Sequence, residues 1–172
     1  LIDLYEKTGQ KDELGEELLF YVFNCHQDDM EYVMRLKKLL TEDEWTAVRS
    51  ALLLSDSMRW KKCELLSAEK MYEDLLDELV KEGTASSFVT YEKELKEQFP
   101  DEARAAFAFL LDKMMRNAAS RNSYAETARY LCRLKTHKGG KELAENMAKR
   151  WAREYSRRSA MKEELRDAGF DI

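Results

Sequence analysis

The sequence predicts an all-α fold, an array of antiparallel helix pairs resembling an α-solenoid or a tetratricopeptide-like helical repeat. Three observations carry this. Apolar residues recur at three- and four-residue spacing along almost the whole chain, which is the period of a helix face. One proline and six glycines occur in 172 residues, and nearly all fall between the periodic stretches. The breaks are short, and short breaks make successive helices antiparallel neighbours.

The elements follow in order. Leu1, Leu4 and Tyr5 share a face, and Gly9 closes that helix in the left-handed conformation that glycine adopts cheaply. Asp12 stands near the start of a second helix striped by Leu14, Leu18, Leu19, Val22 and Phe23. Asp28 or Asp29 caps a third, with Met30, Val33, Met34 and Leu40 inward. Thr41 and Glu44 form a capping box, opening a helix with Trp45, Val48 and Leu52 on one face. Ser55-Asp56-Ser57 breaks the run, and a short helix passes through Trp60, Cys63 and Leu66.

Ser67 is expected to cap the cleanest stripe, Ala68, Met71, Tyr72, Leu75, Leu76, Leu79 and Val80, which Gly83 ends. Phe88, Tyr91 and Leu95 continue to Phe99. Pro100 suits a first helical turn, where its missing N–H costs nothing. It opens a helix of Ala103, Phe107, Leu110, Leu111, Met114 and Ala118. After the break at 120–123, Tyr124, Thr127, Leu131 and Leu134 face one way, and Lys138-Gly139-Gly140 turns the chain. Leu143, Met147, Trp151 and Tyr155 mark the next helix, and Arg157 and Arg158 lie near its C-terminus, where cations meet the negative end of the dipole. Ser159 can cap the last helix, which runs to Ala168 before Gly169. Ten or eleven helices are expected. No strict repeat period is visible, and no unit meets the tetratricopeptide consensus.

The length fits one helical-repeat domain, 1–172. It is expected to be the C-terminal fragment of a longer chain, because the first residue is Leu1 and its neighbours already look helical. Charged residues make up 37 % of the chain, against roughly 25 % on average, as thin helical layers with much surface require. Cys25, Cys63 and Cys132 are odd in number and widely spaced, which reads as reduced thiols in a cytoplasmic protein rather than a disulfide framework. No apolar run approaches the roughly 18 residues of a membrane span, and no signal peptide is recognisable.

Charge is unevenly placed. Residues 1–100 hold 13 Lys and Arg against 23 Asp and Glu, and residues 101–172 hold 16 against 11. Within 113–162 the count is 14 basic to 4 acidic, interleaved with Tyr124, Tyr130, Trp151 and Tyr155. A basic face with stacking groups suits a nucleic-acid backbone. The competing reading, preferred here, is that these charges coat solvent-facing helix surfaces or pair with acids. The residues assigned to a partner or nucleic-acid surface are Arg129, Arg133, Lys149, Arg153, Arg157 and Arg158.

No catalytic residue, cofactor site or metal ligand is assigned. Cys25 and His26 are adjacent and Cys132 and His137 are five apart, neither with the paired spacing of a zinc site. They read as buried thiols and surface histidines. Acidic clusters such as Glu42-Asp43-Glu44 sit at helix starts, where the helix dipole alone favours them. No nucleophile has an evident base. Trp45, Trp60 and Trp151 fall on apolar stripes and are expected in the core. Phe20, Tyr21 and Phe109 lie beside the main stripes and either fill a core buried on both sides, the preferred reading, or mark a partner surface.

From about Trp60 onward the order of features is familiar. Leu66-Ser67-Ala68-Glu69-Lys70-Met71-Tyr72-Glu73-Asp74-Leu75-Leu76 precedes Tyr91-Glu92-Lys93-Glu94-Leu95 and Phe99-Pro100-Asp101-Glu102. Arg121-Asn122-Ser123-Tyr124, Tyr130-Leu131 and Lys138-Gly139-Gly140 follow, then Tyr155-Ser156-Arg157-Arg158-Ser159-Ala160-Met161-Lys162-Glu163-Glu164-Leu165. This resembles the C-terminal helical region of uncharacterised bacterial proteins that carry a SWIM zinc finger nearer the N-terminus. Ser159 stands where the family often has proline, and the Cys-x-Cys and Cys-x-His zinc ligands are absent from this sequence. The resemblance implies a bacterial intracellular protein and transfers no catalytic residue.

The function expected from all of this is a non-enzymatic scaffold contacting another protein or another domain of its own chain. The alternative is a nucleic-acid-binding accessory domain that uses 113–162 together with an upstream zinc finger. A third reading is an accessory domain of an enzyme whose active site lies elsewhere.

Overall fold

The computed structural model describes residues 1–24, 30–59 and 61–172, without the Ser57 side chain. Among these the fold is all-α: eleven α-helices, one turn of 3-10 helix and no strand. Two compact units are formed, Leu1–Lys70 and Met71–Ile172. The expected caps at Asp28 and Asp29, the Cys25–His26 pair and the core position of Trp60 lie outside the described residues.

The first unit contains α1 (Ile2–Thr8), α2 (Lys11–Asn24), α3 (Met30–Leu39), α4 (Glu42–Leu54), a 3-10 turn (Asp56–Met58) and α5 (Lys62–Ala68). Gly9 ends α1 at φ 72°, as its position implied. Thr41 and Glu44 make the reciprocal capping box of α4. The core gathers Leu14, Leu18, Val22, Val33, Leu36, Trp45, Leu52 and Leu65.

The second unit contains α6 (Tyr72–Glu82), α7 (Ala85–Gln98), α8 (Pro100–Asn117), α9 (Arg121–Leu134), α10 (Gly140–Glu154) and α11 (Ser159–Asp167). α7 packs on α8 and α8 on α9, while α6 also meets α8 and α11 also meets α9. Pro100 occupies the first turn of α8. Thr84 and Ser87 cap α7, and Ser120 and Ser123 cap α9 in the same way. Leu75, Leu79, Phe88, Leu95, Phe107, Leu131, Trp151 and Leu165 are fully buried.

Two glycines set the α9–α10 turn. Gly139 takes φ 69°, and a Cβ on Gly140 would lie 2.0 Å from the Leu134 carbonyl oxygen. The turn is held from outside by Arg104 of α8, which donates to the Lys138 carbonyl at 2.5 Å.

Several expectations need correction. Ser67 and Ala68 belong to α5, and α6 starts at Tyr72 after a left-handed residue at Lys70, so Ser67 caps nothing. Ser159 is the first residue inside α11, and Arg158 stands at its cap position without a side-chain cap bond. Phe20 and Phe109 are 60 % and 52 % exposed rather than core, because each lies on the solvent side of its helix. Tyr21 is half-buried and stacks at a tilt on Tyr32, with centroids 4.4 Å apart.

Candidate functional site

The interior of the second unit holds charge as well as apolar side chains. Glu92 follows Phe88 by four residues and precedes Leu95 by three, so it lies on the buried stripe of α7. It is 3 % exposed, against 4 % for His137. His137 Nε2 stands 2.9 Å from Glu92 Oε1. The Arg133 guanidinium donates from Nε to the other carboxylate oxygen, and Lys96 Nζ lies 3.5 Å from Oε1. Phe107 stacks on the imidazole at 5.5 Å between centroids, with Phe88 at 6.2 Å.

His137 is therefore a buried histidine and not the surface one expected. The α9–α10 turn carries its ring beneath Phe107. Burial, reinforced by the nearby positive charge of Lys96, lowers its pKa from the ordinary 6.5, against the opposing pull of Glu92. A carboxylate accepts only, so a neutral imidazole carries its proton on Nε2. Nδ1 is then a lone pair with no partner among the described residues.

A second carboxylate, Asp112 of α8, accepts from the Trp151 indole at 2.6 Å and from the Arg150 guanidinium. A third, Glu69 in the first unit, accepts from Lys37 at 2.6 Å, the Trp45 indole at 2.9 Å and Arg49 at 3.1 Å. Burial alone would raise the Glu69 pKa, but these donors outweigh it and the net shift is downward. Each described tryptophan thus points its N–H at a carboxylate that also faces a cation. This satisfies an indole that core burial would otherwise strand.

The six basic residues singled out in the sequence have different surroundings. Arg133 faces Glu92. Arg158 donates to the Met115 carbonyl at 3.0 Å and the Ala118 carbonyl at 3.1 Å, so it caps the C-terminal end of α8. Its guanidinium also lies 4.2 Å from the Tyr155 ring centroid. The expected dipole role near a helix C-terminus is thus met at α8 rather than at the preceding α10. Arg129, Lys149, Arg153 and Arg157 are exposed. Arg129 sits 3.9 Å from Glu126, and Arg153 donates back to the Lys149 carbonyl at 3.3 Å.

Open grooves cross the second unit, and one of about 550 Å³ over the α9–α10 turn is lined by Lys135, His137, Lys141, Glu142, Glu145 and Lys149. A smaller one, of about 360 Å³, lies between the α6–α7 turn, the C-terminal half of α8, and α9. Another, also of about 550 Å³, runs between α6 and α8.

No family model, curated protein or solved structure matches the chain.

Among the described residues, no group of three His, Cys, Asp or Glu side chains is placed to share a metal ion. Cys132 donates weakly to the Ala168 carbonyl at 3.4 Å, and neither it nor Cys63 forms a disulfide. No helix among these residues is long and apolar enough to cross a membrane. Glu92 had a legible signal, a charge in register with an apolar stripe. His137 had none, because a turn residue has no stripe to be measured against.

Proposed function

We propose that the chain is a non-enzymatic helical-repeat scaffold that holds a segment of another protein, or of its own longer polypeptide. The supporting observation is the direction of its ion pairs. Asp3 and Glu6 of α1 meet Arg35 of α3. Glu92 of α7 meets Arg133 of α9, and Asp112 of α8 meets Arg150 of α10. Arg121 of α9 meets Glu163 and Glu164 of α11. These ties join a helix to the next but one, the neighbour that a stacked array brings alongside, while Arg49–Glu69 and Lys135–Glu145 join consecutive helices.

The second unit also repeats itself in outline. Thr84 and Ser120 open α7 and α9 with the same hydroxyl capping box, followed at matching positions by buried Phe88 and Tyr124, then Leu95 and Leu131. α8 and α10 answer each other with Ala103, Ala106, Phe107 and Leu110 against Ala144, Met147, Ala148 and Trp151. Volume is exchanged between positions, Ala for Met and Phe for Ala, so a sequence consensus is lost while the packing is kept.

The nucleic-acid reading is the weaker one. Within 113–162, Arg121, Arg133, Lys135 and Arg150 all face carboxylates, which leaves fewer charges to neutralise phosphates. We also place the chain with the C-terminal helical region of SWIM-containing bacterial proteins. Two residues of that resemblance, Tyr155 and Arg158, build the clamp on the end of α8.

The test is selection of displayed amphipathic-helix peptides, with polar faces of every charge type, on the immobilised full chain. A scaffold is expected to enrich peptides that bind saturably at micromolar concentration or tighter. A selection that enriches nothing would remove the proposal.

A further inference from the structure

We infer that the groove between α6 and α8 docks a basic amphipathic helix of a partner protein. This deepens the scaffold reading and rests on it. The floor is apolar: Leu76 and Val80 from α6, Ala105 and Phe109 from α8. Ala105 keeps the α8 side low, so a helix backbone can approach closely. Phe109 is half exposed on that floor and gains most from being covered. A helix laid in such a groove places anchors at i, i+3 or i+4, and i+7 on the floor and turns its polar face to the rims.

The rims state the charge of that polar face. Glu73 and Asp77 from α6 and Glu102 from α8 line the groove, and no basic side chain does. None of the three carboxylates forms an ion pair with another described residue. Glu73 and Glu102 lie in first helical turns, where the dipole also favours acids. Asp77 is mid-helix and has no such account. An acidic rim repels nucleic acid, anionic lipid surfaces and acidic peptides, and attracts Lys and Arg. The groove with Lys113 among Glu82 and Glu126 has no such single sign, nor has the one with Lys135, Lys141 and Lys149 among Glu142 and Glu145.

The test uses two synthetic 18-residue helical peptides with one Leu/Phe face in common and a polar face of Lys or of Gln. Binding to the full chain is read by fluorescence anisotropy. The Lys peptide is expected to bind saturably at least about tenfold tighter than the Gln peptide, and less tightly as salt rises. Phe109→Ala, and the double change Glu73→Gln with Asp77→Asn, are each expected to weaken it at least about fivefold. Glu94→Gln with Glu97→Gln removes equal charge from exposed positions on α7 and is expected to change it less than about twofold. All these sites are at the surface except the half-exposed Phe109, and circular dichroism checks that each variant folds. Equal loss from both double variants would reduce the effect to overall charge and overturn the groove. So would a dimer of the chain that Phe109→Ala dissociates, because the occupant would then be a second copy. Display-selected peptides that bind the groove variants undiminished overturn the groove and leave the scaffold reading standing, whereas no enrichment at all removes both.

Discussion

His137 Nε2 meets Glu92 Oε1 at 2.9 Å inside a cage of two phenylalanines. The contact binds the α9–α10 turn to the middle of α7. Both partners are almost fully buried, and the lowered pKa of His137 links its protonation to folding.

The first prediction is a pH dependence. The folded chain holds the His137 pKa below 6.5, and the unfolded chain does not. As pH falls through about 6.5 the unfolded state takes up a proton that the folded state resists, so stability rises with pH across that window and falls below it. Urea unfolding between about pH 7.5 and pH 5.5 is expected to show this loss in the native chain. In His137→Phe, which suits the Phe88–Phe107 cage, the slope is expected to flatten. An unchanged slope would place the titration elsewhere.

The second concerns the tryptophans. Trp151→Phe removes the indole donor to Asp112, and Trp45→Phe removes the one to Glu69. Hydrogen bonds to charged groups contribute roughly 1.5–3 kcal/mol, and each variant is expected to lose about that much in chemical denaturation. Losses under about 0.5 kcal/mol, the range of ordinary surface changes, would show the indoles are not needed there.

These two sites mark where the sequence was readable and where it was not. The helices were legible because apolar spacing is local: Leu75, Leu79, Phe107 and Trp151 are core residues found by their period alone. The Thr41 box and the first-turn Pro100 were legible because capping chemistry is local too. The start of α6 was not, since Ser67 is a good cap that lost to a left-handed Lys70 and the packing of α5. The exposure of Phe20 and Phe109 was hidden because a helix face does not say whether a neighbour covers it. The sequence sets Arg158 near the C-terminus of α10, and only tertiary structure brings it to the carbonyls of α8.

The third prediction is a core anchor. Leu75 is fully buried in α6. Leu75→Ala is expected to cost about 2–5 kcal/mol in chemical denaturation. A loss under about 1 kcal/mol would mean that the site collapses around the gap.

The fourth addresses nucleic acid. The basic cluster has Arg133 and Arg158 committed to Glu92 and to the end of α8. Single- or double-stranded oligonucleotides are expected to bind no tighter than the roughly 10⁻⁴–10⁻⁶ M of non-specific contact at physiological salt. Submicromolar binding that weakens steeply with salt, and that changing Arg129, Lys149 and Arg153 to Ala abolishes, would reverse the ranking of the two functions.

The most direct measurement of the central claim, that buried charge here ties helices rather than performs chemistry, is the unfolding free energy of Glu92→Gln. A carboxylate kept for structure gives His137 and Arg133 one oxygen each, and Gln keeps one such oxygen and sets an NH2 donor against the other partner. The expected loss is about 1–3 kcal/mol, tempered by the half-exposed Arg133 regaining water. A carboxylate kept for function is held at a cost, and neutralising it stabilises the fold. A Glu92→Gln chain as stable as the native one, or more stable, would contradict the account.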